Sequence, residues 1–228
     1  MALILSLESS TKNCSVALGR DGKCLAFSEE RNEQYAHAER LNPTIEICLK
    51  SAGVRLGELD AIAVSKGPGS FTGLRIGVSA AKGLCFGLDI PLIGLDSLRI
   101  MTEQARMKNL AFDYCIPMLD ARRMEVYTAM YAYSGKRESD ITAMIIDEGA
   151  FLDYYNKSVC FVGDGVEKCR SYLTGDNWTT PDIPFPSASG MVNLAEEAFQ
   201  LGSFESVAYF EPYYLKEFIA GKPRDLLA

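Results

Sequence analysis

The sequence predicts an α/β fold with helices packed on sheets. Two observations carry this. Strand-type and helix-type segments alternate from residue 59 to residue 107, and a glycine-rich turn stands between the first strand and helix of that series. A chain of 228 residues with 48% hydrophobic and 23% charged residues is ordinary for a globular protein and long enough for one large or two small domains.

The elements follow in order. Leu3 to Leu7 is an apolar run, Glu8 to Asn13 a polar turn and Cys14 to Leu18 a second run. Gly19 to Gly22 closes that run, and Lys23 to Glu29 reads as a third strand. The chain therefore opens with hairpins. Between His37 and Ala52 the positions Leu41, Ile45, Cys48, Leu49 and Ala52 recur at helical spacing, and Gly53 supplies the stop. Pro43 fits only near a first turn, so the helix is expected to start close to Leu41 or to kink.

Leu59 to Ser65 reads as a buried strand, followed by the glycine-rich run, a helix to about Gly87, a strand from Pro91 to Leu95, and a helix capped by Ser97 and ending near Met107. The polar stretch Arg106 to Asn109 sets the boundary between residues 1–106 and 107–228, the last segment of the second part expected to pack back on the first. In the second part, Tyr114 to Leu119, Glu125 to Tyr133, Ile141 to Asp147 and Val159 to Gly163 read as strands. Val166 to Leu173 and Ser189 to Leu201 read as helices.

Composition excludes several function classes. His37 is the one histidine, so no two-histidine metal site can form. Seven cysteines, an odd number with no C-x-x-C, read as reduced thiols in a cytosolic chain. The N-terminus meets Glu8 too early for a signal peptide, and the apolar stretch Gly83 to Leu95 is broken by Asp89 and Pro91. With 23 Lys and Arg against 30 Asp and Glu, the net charge of −7 argues against a stand-alone binder of phosphate backbones. Arg122-Arg123 and Lys136-Arg137 read as solvated turns.

The strongest feature is Lys66-Gly-Pro-Gly-Ser-Phe-Thr-Gly-Leu-Arg-Ile-Gly77. Such a turn can aim backbone N–H groups at an anion. It matches neither standard phosphate fingerprint: Gly73 is followed by Leu74 and Arg75 where a Walker loop needs Lys, and Thr72 stands where a dinucleotide loop needs glycine. In the helix that follows, Gly73, Gly77 and Ala81 lie four apart, as do Ser79, Gly83 and Gly87, making two small-residue faces. Each interior glycine costs about 1 kcal/mol of helix propensity. Packing on the chain's own sheet and docking of a partner both explain such faces.

The weaker candidates each have a plainer reading. Glu8-Ser-Ser-Thr11 could line a phosphate turn, and turns are rich in Ser and Thr. His37 with Glu39 could form an acid–base pair, and a lone histidine at a helix start reads first as a capping or interface residue. Asp120 to Tyr127 reads as ion pairing around a tight connection, and Gly163-Asp-Gly165 as an anion site or a plain turn.

The glycine-rich run closely resembles the signature of the TsaB (YeaZ) family of bacterial tRNA threonylcarbamoyladenosine biosynthesis proteins. Further matches run in order along the chain: Ile4 to Thr11 with Cys14 to Ala17, His37 to Leu41 with Pro43, Pro91 to Gly94, Asp120 to Arg122 with Glu125 to Tyr127, Gly163 to Gly165, and Pro186 to Ala188. The resemblance implies an actin-like, Hsp70-like and sugar-kinase-like fold of two ribonuclease H-like subdomains with a degenerate nucleotide cleft. The family usually has Asp where this chain has Glu8.

The resemblance also implies a role. It points to a non-catalytic subunit that organises the catalytic paralogue TsaD, with the ATPase TsaE, for threonylcarbamoylation of adenosine 37 in tRNAs reading codons that begin with A. ATP and metal are expected in the partner subunits, with no tightly bound cofactor and no catalytic or metal-ligating residue in this chain. Carried over onto matching positions, the partner interface is His37, Arg40, Leu41, Gly73, Ile76, Gly77, Ser79, Ala80 and Gly83, and the same surface serves a homodimer when the chain is alone. The vestigial cleft is Glu8, Ser10, Thr11, Gly163, Asp164 and Gly165. tRNA is reached only through the complex, in the cytoplasm and away from membranes. The alternative is an ATP-binding phosphotransferase or ATPase of the same fold. A glycoprotease or M22-type peptidase has no nucleophile–base pair in the sequence to support it.

Overall fold

Backbone pairing begins with the opening hairpins. The computed structural model describes residues 2–31 and 37–216. Strands β1 (Leu3–Glu8), β2 (Asn13–Arg20) and β3 (Lys23–Arg31) pair antiparallel. After helix α1 (His37–Ala52), strand β4 (Ala61–Gly67) joins β1 in parallel; after helix α2 (Phe71–Leu88), strand β5 (Leu92–Asp96) joins β4. The sheet order is β3-β2-β1-β4-β5. Every residue of β1 is buried, as a strand covered on both faces requires. Leu3, Leu5 and Leu7 face a core under α1 and α2 that includes Leu41, Ile45 and Val78.

Helix α3 (Ser97–Met107) joins the two halves. Its Ile100 packs toward the first sheet, while Leu98, Met101 and Ala105 pack toward the second. The second sheet contains β6 (Tyr114–Asp120), β7 (Glu125–Thr128), β8 (Tyr131–Ala132), β9 (Thr142–Ile145), β10 (Val159–Val162) and β11 (Trp178–Thr179). Its order is β11-β10-β6-β7-β9, with β8 beside β6. Helix α4 (Val166–Cys169) covers this sheet, and α5 (Val192–Gln200) returns to the first, where Val192, Leu194 and Ala195 pack against Ala2, Ile4 and Ala17.

Four local expectations are corrected. The single strand expected over Glu125 to Tyr133 is interrupted after Thr128. Thr128 pairs with Met118 and Tyr131 with Cys115, so Pro117 falls opposite the gap and offers no N–H to the ladder. The cap of α3 is Asp96, whose carboxylate accepts from the Leu98 N–H at 2.9 Å; Ser97 is already helical. The helix expected from Val166 to Leu173 is four residues of α-helix followed by a 3₁₀ turn at Arg170–Tyr172. Its apolar residues Val166, Cys169 and Tyr172 recur every three, the period of the tighter helix.

Pro43 lies inside α1, which runs from His37. It sits on the exposed side with Glu39, whose carbonyl loses its intrahelical donor and can turn to water. Residues 217–228 of the expected second part lie outside the described residues.

Candidate functional site

The glycine-rich run sets α2 directly on the β1–β2 turn. Ser70 caps the helix, its hydroxyl accepting from the Gly73 N–H at 3.3 Å. Its own N–H donates to the Ser10 carbonyl at 2.6 Å. A Cβ at Gly69 would lie 2.3 Å from the Ser10 carbonyl, one at Gly73 2.1 Å from the Ser9 carbonyl, and one at Gly77 2.1 Å from the Ser9 hydroxyl. That hydroxyl donates to the Gly73 carbonyl at 2.9 Å. Gly69, just before the helix, and Gly73 and Gly77 within it thus lie directly against Ser9 and Ser10 of the turn.

This contact places four of the expected interface residues inside the chain. Gly73 and Gly77 are buried against their own turn. His37 is 2% exposed, its Nε2–H donating to the Thr11 carbonyl at 2.6 Å. Burial lowers its pKa, so the ring stays neutral and acts as a strut between α1 and the turn. Leu41 is also 2% exposed and reaches the surface only as the floor of a groove.

The opposite face of α2 is open. Ser79, Gly83, Phe86 and Gly87 are exposed, and among the described residues an added Cβ at Gly83 or Gly87 would meet nothing within 4 Å. Between α1 and α2 runs a shallow groove of about 470 Å³ lined by Ala38, Leu41, Asn42, Arg75, Ile76, Ser79 and Ala80. Ile76, Ala80 and Gly83 continue one stripe along α2. Phe86 is 85% exposed and Ile47, on α1, 53% exposed. Arg40 is exposed and pairs with Glu30 of β3. The expected interface thus divides: Arg40, Ile76, Ser79, Ala80 and Gly83 are at the surface, and the other four are inside. Ala38, Asn42 and Arg75 also line this groove, and Phe86 follows Gly83 by three residues and extends the same helical stripe.

The expected cleft residues also divide. Glu8, Ser9 and Ser10 have no exposed surface, and Thr11 is 7% exposed. The Ser10 N–H donates to the Glu8 carboxylate at 2.6 Å, while Glu8 Oε2 and the Ser10 and Ser65 hydroxyls have no hydrogen-bond partner. Burial pushes the Glu8 carboxyl up to about 7. With α2 seated on the turn and the Ser10 N–H already used, these groups do not fit a nucleotide phosphate, which needs donors open to it.

Gly163 and Gly165 pack on the Met118 carbonyl, where an added Cβ would come within 2.0 and 2.9 Å. Asp164 accepts from the Asp120 N–H at 2.8 Å, its pKa raised by burial. The Lys12 charge lowers that pKa slightly, against the larger effect of burial. Among the described residues no three His, Cys, Asp or Glu side chains converge as metal ligands, and no helix is long and apolar enough to cross a membrane.

Comparisons with known proteins show the family. The family model described as TsaD, tRNA N6-adenosine threonylcarbamoyltransferase, matches residues 31–209. The TsaB protein of Haemophilus influenzae, a tRNA threonylcarbamoyladenosine biosynthesis protein, is 32% identical over 96% of this chain and 95% of its own length. The structure of YeaZ from Pseudomonas aeruginosa superposes with TM-score 0.80 at 28% identity, over 94% of this chain and all of that one. The ethanolamine utilization protein EutJ from Carboxydothermus hydrogenoformans shares the fold alone, with TM-score 0.50 at 12% identity over 84% of this chain and 89% of its own. The fold is of the actin-like, sugar-kinase-like type, and the chain belongs to the TsaB (YeaZ) family of the TsaD-type threonylcarbamoyltransferase domain.

Proposed function

We propose that this chain serves tRNA threonylcarbamoyladenosine biosynthesis as a docking subunit, binding and ordering a larger TsaD-like catalytic paralogue without turning over substrate. The name of the H. influenzae relative supports the pathway. The observation that carries the docking role is the open face of α2. A helix that accepts interior glycines at 83 and 87, with no described residue within 4 Å of a Cβ at either, bears a propensity cost that these residues do not offset. Close approach by a second helix offsets it, because small residues let backbones come near. Ile76 and Ala80 supply the apolar contact, and the groove over Leu41 receives the partner's side chains. Self-association through the same face is the expected state of the chain alone.

In this reading ATP and metal act in the partner subunits and a TsaE-like ATPase joins the complex. tRNA is held mainly by the partners, in keeping with the net charge of −7, and the complex works in the cytoplasm. The test is Ala80→Arg, which places a charge in the middle of the stripe. Its affinity for the purified paralogue is expected to fall at least about a hundredfold, with folding stability within about 0.5 kcal/mol of the parent. Unchanged affinity would overturn the docking role. Tight binding of ATP with Mg²⁺ by the isolated chain, read by titration calorimetry, would favour the ATPase alternative.

A further inference from the structure

The segment that follows α5 ties the two halves of the molecule together across the glycine-rich loop. It starts at the edge of the first sheet, where Glu205 bridges Leu92 and pairs with Lys66 at 3.6 Å. The Lys82 ammonium, on α2, donates to the carbonyls of Ala208 and Phe210, each at 3.1 Å, and the Phe210 ring is buried in the core of the first half. The Tyr213 N–H donates to the Lys66 carbonyl at 2.7 Å. The Tyr213 carbonyl comes within 2.7 Å of where a Cβ on Gly67 would stand, at φ +115°, so glycine is required there.

The Tyr214 ring packs on Phe71 at 4.8 Å, and its hydroxyl accepts from the Arg75 Nε–H at 3.4 Å. The guanidinium of Arg75 itself lies 4.2 Å from the centre of the Phe71 ring. The chain then crosses. Leu215 packs into the core of the second half. The Lys216 ammonium donates to the Ala121 carbonyl at 3.2 Å, pairs with Glu125 and lies 5.7 Å from the centre of the Tyr127 ring.

From Tyr214 to Lys216 an extended chain spans about 7 Å. Two consecutive residues past Tyr214 therefore link the first turn of α2 to the β6–β7 turn. Arg122 and Arg123 of that turn both hold positive φ, at 67° and 53°, a conformation that non-glycine residues seldom keep without support. Arg75 belongs at once to the Tyr214 contact and to the docking groove. Any change in the angle between the halves must strain or release the Lys216 end, and the strain reaches Phe71 and Arg75 at the lip of the groove.

We propose that residues 205–216 form a clasp that holds the two halves at one setting, and that Tyr214 and Lys216 are positioning residues for the docking face. The second part of this proposal rests on the docking reading; the first does not. The test compares the full chain with Lys216→Met, which removes the crossing contact and keeps the aliphatic stem, and with Lys82→Met, which loosens the clasp within the first half only.

Hydrogen exchange on the free chain is expected to quicken about fivefold in Lys216→Met at two separated places, residues 70–75 and residues 121–125, as the loss of one polar anchor would allow. Lys82→Met is expected to leave 121–125 unchanged. Faster exchange confined to 121–125 and 214–216 would overturn the clasp, since a merely local contact gives that pattern. Affinity of Lys216→Met for the purified paralogue is expected to fall about tenfold. Unchanged affinity, with Ala80→Arg abolishing binding, would overturn the positioning role. If Ala80→Arg also binds normally, the docking reading fails and the exchange pattern alone decides the clasp.

Discussion

Glu8 carries the most testable charge in the molecule. Its carboxyl has no exposed surface, one hydrogen bond from the Ser10 N–H and one oxygen without a partner. Burial raises its pKa from 4.5 in the unfolded chain to about 7 in the folded one. The folded state then binds the proton more tightly, so stability is fully present below pH 4.5 and is lost as pH rises through 7. The shift corresponds to about 3 kcal/mol. Glu8→Gln keeps the Ser10 hydrogen bond and removes the titration. It is expected to be more stable than the parent by up to about 3 kcal/mol at pH 8 and to lose most of that advantage near pH 4.5, read by urea denaturation at both pH values. His37 acts in the opposite sense: its folded pKa is lowered, so its share of stability is present above pH 6.5 and lost as pH falls below it. Equal pH slopes in the parent and Glu8→Gln would show that Glu8 is ionised in the fold.

Helix α2 has two small-residue faces with different physical reasons, and single methyl groups separate them. Gly73→Ala would push a Cβ against the Ser9 carbonyl, which is backbone and has little room to move. A loss of at least about 2 kcal/mol is expected in thermal or urea unfolding. Gly83→Ala meets nothing, so it is expected to gain up to about 1 kcal/mol from helix propensity, while weakening a partner that needs close approach. Opposite signs for stability and affinity at one residue would mark an interface glycine.

The spacing of these residues was legible in the sequence, as were both faces and the order of strands and helices through residue 107. Which face turns inward was not legible, because helical periodicity is symmetric and only the contact of Gly73 and Gly77 with Ser9 breaks the tie. The contact of His37 with the Thr11 carbonyl was not legible either, since a residue at a helix start tells nothing about the turn it will meet. In the second half, the break between β7 and β8 traces to Pro117 on a different strand, which is visible only once the register is known.

At the scale of the whole molecule, the two sheets are joined through α3, which packs on both, and through the segment 205–216. In the first half the β1–β2 turn is covered by α2 and holds the Glu8 carboxyl, whose pKa burial raises to about 7. What the frame presents to solvent is an apolar groove with a glycine stripe and an exposed Phe86. The family resemblance was legible from the glycine-rich run and its companions over nearly the whole chain, whereas the closing of the turn required the fold. The clasp had no signal in the sequence, since Tyr213, Tyr214 and Lys216 read as an ordinary polar and aromatic tail. The most direct measurement is the affinity of the full chain for its purified TsaD-like paralogue, with Ala80→Arg beside the parent and unfolding curves taken on both. Loss of the complex by about a hundredfold or more, with the two unfolding curves superposed, is expected; equal affinity of the two proteins would contradict a docking role for the α1–α2 face.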